Sequence, residues 1–163
     1  MPDQPVDEPN WLDDTEQRAW RALLAVSSRA LPEIQRRLKA RDLLGAHYYV
    51  FVALSEAPGQ TLRLSALADG ANMSQSRLTH SIRPLIERGD IAICGDPNDR
   101  RAKNASLTDA GRHKLECIAP LHADDVKQLV FDPLTDEQTA ALADALTAVS
   151  NHLCEHPEYL NPN

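Results

Sequence analysis

Short polar side chains and one arginine crowd the start of a predicted helix at residues 74–80. Ser74 suits a helix N-cap, because its hydroxyl can accept a hydrogen bond from a backbone N–H of the first turn. Behind it, Leu78, Ile82 and Leu85 recur at helical spacing and predict a buried face. The outward side chains could then reach phosphates and base edges of a DNA major groove: Gln75, Ser76, Arg77, Thr79, His80 and Arg83. The alternative is that the polar first turn is only a cap.

A second group of charges follows a segment dense in turn residues. Gly95 to Asp99 has the composition of a tight turn, and Arg100, Arg101 and Lys103 come directly after it. Guanidinium groups at a hairpin tip can enter a minor groove, whose negative potential attracts them. Asp99 would repel phosphates, so we expect it to fix the direction of one arginine through a bidentate pair. The alternative is an exposed turn with ordinary charges.

The elements that position these two groups form a recognisable order. A short helix ending near Gly70 is followed by a three-residue break and a helix over about 75–88. Alternating apolar residues then predict a strand over 91–94 and a return strand at about 105–107. A helix-turn-helix followed by a charged hairpin is a winged helix-turn-helix arrangement.

Long amphipathic helices are predicted on both sides of this lobe, over about 11–41 and 108–154. Pro32 is expected to kink the first of them. Their apolar faces exceed what one small winged helix can cover, so a second copy of the chain would bury them. The fold class is therefore mainly α with a small β-hairpin wing. One domain over 11–155 contains the lobe at about 46–107, with a disordered tail over 1–10 and a C-terminal tail over 156–163.

Composition and charge exclude several other classes of protein. The 163 residues carry a net charge of −7, but 61–103 is locally basic, whereas 1–16 and 132–163 contain acids and no Lys or Arg. No apolar run could span a bilayer, no secretory signal is visible, and three cysteines are too few for a disulfide framework. We therefore expect a cytoplasmic protein without a membrane partner. No Gly-rich phosphate loop or hydrolase motif is present, so we expect no enzyme and no cofactor.

The chain resembles the MarR family of bacterial transcription regulators over about residues 20–154. The resemblance rests on Leu62-Arg63-Leu64-Ser65-Ala66-Leu67-Ala68, Ser74-Gln75-Ser76-Arg77-Leu78-Thr79, Arg88-Gly89, Asp96-Pro97-Asn98-Asp99-Arg100-Arg101 and Leu107-Thr108-Asp109-Ala110-Gly111-Arg112. It implies a homodimer that binds double-stranded DNA at a pseudo-palindromic operator. It also implies a repressor that a small phenolic or lipophilic ligand releases, and it assigns Arg101 to the minor groove.

Three positions depart from the family pattern. His80 stands where an arginine is common, which favours weaker or pH-dependent base readout. Pro84 lies inside the recognition helix and is expected to bend its second half. Ile93 replaces a frequent basic residue, which removes one phosphate contact. An adaptor that kept the fold and lost DNA binding therefore stays open as an alternative.

Ligand, metal and redox sites were considered for the remaining residues. The resemblance places an effector in a cleft that Trp20, His47 and Tyr48 could line, although the same aromatic side chains could simply be core. His113 and Cys117 lie four residues apart, but zinc normally takes about four ligands, so no metal is expected. A metal- or redox-sensing variant remains an alternative, and among the cysteines Cys94 is expected to be a small core residue.

Overall fold

The computed structural model describes residues 9–71, 73–96, 99, 102–156 and 159. Its helices are α1 (Asp14–Ala40), α2 (Gly45–Glu56), α3 (Leu64–Gly70), α4 (Gln75–Glu87), α5 (Asp109–Val126) and α6 (Asp136–Glu155). Its strands are β1 (Thr61–Arg63), β2 (Ile91–Gly95) and β3 (Lys103–Leu107), with a 3₁₀ turn at Pro58–Gln60 and a π-helical turn at Lys127–Phe131. Among these described residues, no helix is both long and apolar enough to span a bilayer. The tails expected over 1–10 and 156–163 lie mostly outside them.

The long helices begin at side chains that satisfy their first N–H groups. Asp13 forms a capping box with Glu16 at the start of α1. Thr135 and Gln138 have the spacing of a capping box and form one at the start of α6, with N···O distances of 3.0 and 3.2 Å. Helix α1 continues through Pro32, and α4 continues through Pro84, so neither proline ends its helix.

The sheet has one strand more than the sequence indicated. Its order is β1-β3-β2, with antiparallel pairing of Thr61 to Ser106 and of Ile91 to Leu107. The β2–β3 hairpin is the predicted wing. Helical spacing of Leu62, Leu64, Leu67 and Ala68 predicts that the short helix ending near Gly70 includes Leu62. This prediction is wrong, because Leu62 lies in β1 opposite Ala105 and the helix begins at Leu64.

The core lies where α2 meets the sheet and the helices around it. Leu38 of α1, Phe51 of α2 and Leu85 of α4 are fully buried together. The last of these comes from the predicted inner face of the recognition helix. Burial of such large side chains stabilises the lobe by about 1.5–3 kcal/mol for each of them.

A buried ion cluster ties α1 to the far end of α5. Asp125 accepts hydrogen bonds from Arg37, at 2.9 Å, and from Arg41. These bonds lower the pKa of Asp125 to about 2, and the hydrogen bond from Arg41 contributes most. The Asp125 carboxylate therefore stays ionised at physiological pH, so its ion pairs with Arg37 and Arg41 persist.

Two helices leave apolar surface uncovered. None of the residues of α6, all of which the structure describes, is buried, and Leu146 and Val149 are 46% and 56% exposed. On α1, Trp20, Leu24 and Leu31 are about half exposed as well. Apolar patches of this kind mark interaction surfaces in folded proteins.

Candidate nucleic-acid interface

Helix α4 presents the predicted polar surface. Ser74 is its N-cap and accepts a hydrogen bond from the backbone N–H of Arg77 at 3.3 Å, as predicted. Leu78, Ile82 and Leu85 are buried. The side chains predicted to face outward are exposed: Gln75, Ser76, Arg77, Thr79, His80 and Arg83. Their placement leaves the first turns of α4 accessible to a ligand.

The wing and α4 enclose a groove of about 410 Å³. Gln75 and Thr79 line it from the helix, and Asp99 and Lys103 line it from the wing. The structure thus brings together members of both sequence clusters. Arg100 and Arg101 lie outside the described residues, so the expected pairing of Asp99 with one of them stays a prediction.

Arg63 also lines the groove, although the sequence pattern did not assign it to the interface. Its Nε donates to a carboxylate oxygen of Asp96 at 2.8 Å, and the Asp96 side chain is only 7% exposed. This bond joins the end of β1 to the loop at the tip of the β2–β3 hairpin. Since Arg63 also lines the groove beside α4, it is placed to set the spacing between wing and recognition helix.

Replacing Arg63 with alanine is expected to weaken binding to duplex DNA about fivefold, equivalent to about 1 kcal/mol. The reason is that the wing loses a fixed attachment to β1. Fluorescence anisotropy with a labelled duplex measures the change. Arg63→Lys keeps the positive charge but not the geometry of the Nε–H bond. If Arg63→Lys binds DNA as tightly as wild type, only the positive charge of Arg63 matters. A double-mutant cycle with Asp96→Asn should give a coupling energy, and strict additivity would contradict the positioning role.

The exit of α4 is joined tightly to the start of α5. The Thr108 hydroxyl donates to the backbone oxygens of Gly89 and Asp90, at 2.7 and 3.0 Å, and caps α5 by accepting from Gly111 N–H. The buried Asp90 side chain accepts from Arg88 at 3.1 Å and lies 3.7 Å from the Lys114 ammonium. The turn that follows the recognition helix is therefore hydrogen-bonded directly to the start of α5, although the β2–β3 hairpin separates the two in the chain.

The cysteines are placed differently from the expectation. Cys94 was predicted to be core, but it is exposed, because the alternation along β2 puts it on the outer face with Ala92. Cys117 is also exposed, with its Sγ 3.8 Å from His113 Nε2. Within the described part of the chain, no three His, Cys, Asp or Glu side chains are arranged to hold a metal ion.

The three residues predicted for the effector cleft differ in burial. Trp20 is exposed on α1, whereas His47 and Tyr48 are buried, with the Tyr48 ring 4.2 Å from the His122 ring. Burial lowers the pKa of His47, and the nearby positive charges of Arg88 and Lys114 act in the same direction. These placements agree with the core alternative for His47 and Tyr48.

Comparison with solved structures places this arrangement among DNA-binding regulators. The chain is 33% identical to AbsC, a MarR family transcriptional regulator from Streptomyces coelicolor, over 90% of this chain and 99% of that one, with a TM-score of 0.85. It is 35% identical to Sco3205, a MarR family regulator of the same organism solved in complex with DNA, over 90% and 92% of the chains, also at 0.85.

A more distant structure is BpsR of Bordetella bronchiseptica, whose DNA binding is regulated by 6-hydroxynicotinic acid. It is 24% identical over 82% of this chain and 98% of its own, with a TM-score of 0.71, and shows the shared fold. A comparison with models of protein families gave no match.

Proposed function

Because the chain belongs to the MarR family of transcriptional regulators and is a DNA-binding regulator, we propose that it binds a pseudo-palindromic operator as a homodimer and represses transcription. In this proposal α4 enters the major groove and the wing lies over the adjacent minor groove. Arg101, which lies outside the described residues, would supply the minor-groove contact, and Asp99 would orient it. The helices over 11–41 and 108–154 would form the dimer, so the chain acts as one domain.

The observation that carries the proposal is the groove shared by α4 and the wing. It collects Gln75 and Thr79 from the recognition helix and Lys103 from the hairpin on one exposed side of the lobe. Amide and hydroxyl groups can bond to base edges, and cations neutralise phosphates. The adaptor alternative is not favoured, because Sco3205, which is 35% identical to this chain, was solved in complex with DNA.

Duplex DNA of random sequence provides the first test. Because bound cations displace counterions from DNA, the affinity should fall linearly with salt on logarithmic axes. Repeated selection from the random pool should then enrich sequences with two-fold symmetry, as a dimer requires. Salt-independent or undetectable binding would contradict the proposal, and enrichment of asymmetric sites would contradict the dimeric operator.

Arg77, a cation of the recognition helix, should contribute measurably to the affinity for DNA. Arg77→Ala is expected to weaken DNA binding by about 1 kcal/mol and to reduce the salt slope by about one phosphate equivalent. The thermal midpoint should not change, because the side chain is exposed. Arg18→Ala is the matched control, since Arg18 is exposed on α1, away from the groove. Equal losses from both variants would show that only net charge matters.

We further propose that a small molecule regulates this binding. The support is general: BpsR, which shares the fold, is regulated by 6-hydroxynicotinic acid, and clefts between packed helices commonly accept such ligands. Release of the operator requires that the ligand bind the DNA-free form more tightly than the DNA-bound form.

A further inference from the structure

Three aromatic rings lie together at the C-terminal end of α6. The rings of His152 and His156 have centroids 4.7 Å apart, and the ring of Tyr159 lies 5.5 and 5.4 Å from them. The two histidines are four residues apart, so they share one face of the last helical turn. The backbone N–H of His156, the C-cap, donates to the carbonyl oxygen of His152 at 3.0 Å and closes that turn. Two imidazoles are therefore held side by side at the surface.

The separation of the two imidazoles suits a shared metal ion. Imidazole binds late first-row metals such as Cu²⁺, Ni²⁺ and Zn²⁺ through one ring nitrogen. With metal–nitrogen bonds of about 2.0 Å, two imidazoles bound at an angle of about 90–110° have ring centroids about 4.5–5.2 Å apart. The observed 4.7 Å lies inside this interval. Chelation therefore requires no change in the spacing of the rings, and at most a rotation of each ring.

The surrounding charge favours a cation at this position. Residues 132–163 contain six Asp or Glu residues and neither Lys nor Arg. The last carbonyl groups of a helix also carry a partial negative charge, which stabilises cations near its C-terminus. A metal ion at the end of α6 is therefore attracted by its own helix and meets no Lys or Arg from the same segment.

The pair formed by His113 and Cys117 on α5 has the same spacing in a less favourable setting. It lies within the helix rather than at its C-terminal end. Arg112 and Lys114 also flank His113 in the chain, so more positive charge lies close to that pair. The two pairs can therefore be compared directly in one protein.

We propose that His152 and His156 together chelate one late first-row divalent metal ion in each chain, with water in the remaining coordination positions. Among the described residues, no third His, Cys, Asp or Glu side chain is placed to complete the site, so the bound ion stays open to solvent. The ion joins the same two residues as the backbone hydrogen bond, and it therefore holds the last turn of α6 closed. Metal binding at this position does not depend on the proposed DNA-binding function.

Isothermal titration of the full-length chain, without an affinity tag, measures this binding with NiCl₂. Ni²⁺ is the probe because Cu²⁺ can oxidise exposed thiols, and Cys154 lies in the same turn. MgCl₂ is the control for charge alone, since Mg²⁺ prefers oxygen ligands. We expect saturable binding of one Ni²⁺ per chain. His152→Gln and His156→Gln should each raise the apparent Kd at least about tenfold, because the chelate loses one of its two protein ligands.

His113→Gln is the matched control and should leave the apparent Kd for Ni²⁺ unchanged. If His113→Gln abolishes binding and the two α6 variants do not, the ion lies on α5 and the chelate on α6 is excluded. One Ni²⁺ per two chains would indicate a bridge between copies and would also overturn the chelate within one chain. A Kd above about 1 mM, or an equal response to MgCl₂, would show an adventitious ion only.

Hydrogen exchange tests whether the ion closes the last turn. Zn²⁺ is diamagnetic, so exchange of single amides can be followed by NMR at saturating ZnCl₂. Exchange of the His156 amide should slow in wild type, because its bond to the His152 carbonyl opens less often. The same ZnCl₂ concentration should not slow it in His152→Gln. Equal slowing in both proteins, or none in wild type, would contradict closure of the turn by the chelate.

Discussion

Replacing Gly111 with alanine is expected to lower the free energy of unfolding by about 2 kcal/mol. An added Cβ would lie 2.2 Å from the backbone oxygen of Asp90 and 2.9 Å from Leu107 Cδ1. Because the closer atom belongs to the backbone, the clash can be relieved only by moving α5 away from the turn after α4. Overpacking of this severity costs about 3 kcal/mol, and the better helix propensity of alanine offsets up to about 1 kcal/mol. Urea unfolding measures the net change.

Gly95→Ala is the matched control for that prediction. Gly95 lies in β2, and no heavy atom comes within 4 Å of an added Cβ there. Its stability should stay within about 0.5 kcal/mol of wild type. If both variants lose the same free energy of unfolding, the loss would come from removing glycine rather than from the contact with Asp90. A Gly111→Ala protein as stable as wild type would show that α5 can shift without loss of stability.

The dimer that we propose should dissociate when Leu146 is replaced with glutamate. Leu146 lies on the apolar side of α6, a helix that buries none of its described residues within one chain. Enclosing an unpaired carboxylate in an apolar contact is unfavourable, so we expect the dimer dissociation constant to rise at least about tenfold, which corresponds to about 1.4 kcal/mol. Sedimentation velocity over a series of protein concentrations measures this change.

Thr147→Glu introduces the same charge one residue further along α6, toward the side of Asp144 and Asn151. Those positions are exposed and polar, so the dissociation constant should not change. A dimer that tolerates Leu146→Glu as well would exclude the apolar side of α6 from the interface. Dissociation by both substitutions would indicate that repulsion between acidic helices, and not burial, decides assembly.

Local patterns in the sequence predict the helices and the wing, because both depend on neighbouring residues. Helical spacing and caps such as Ser74 and Thr135 locate α4 and α6 to within a residue or two. Strand β1 was missed for the opposite reason. Its three residues are too short for an alternation, and their partners in β3 lie about forty residues away, so pairing of Leu62 with Ala105 depends on the assembled sheet.

The candidate interface likewise has features set by neighbouring residues and features set by contacts that are distant in the sequence. The exposed face of α4 follows from its own periodicity, since burial of Leu78 and Ile82 leaves Thr79 and Arg83 outside. The bond between Arg63 and Asp96 spans 33 positions and exists only because β1 joins the sheet beside β3. The exposure of Cys94 could have been predicted from the sequence. The alternation that predicts a strand at Ile91 also places Cys94 on the opposite face of that strand.

Hydrogen bonds from Thr108 to the turn after α4 allow a rotation of α5 to move α4 with it. With 18 residues and a rise of 1.5 Å for each, α5 is about 27 Å long, and its far end is held to α1 through Asp125. If the turn at Thr108 stays rigid, a sideways displacement of about 3 Å at the Asp125 end rotates α5 by about 6°. Carried through the turn to the opposite end of α4, about 20 Å away, that rotation moves Ser74 by about 2 Å. Such a movement exceeds the tolerance of a hydrogen bond, so a change in the packing of α1 against α5 would reach the exposed first turn of α4.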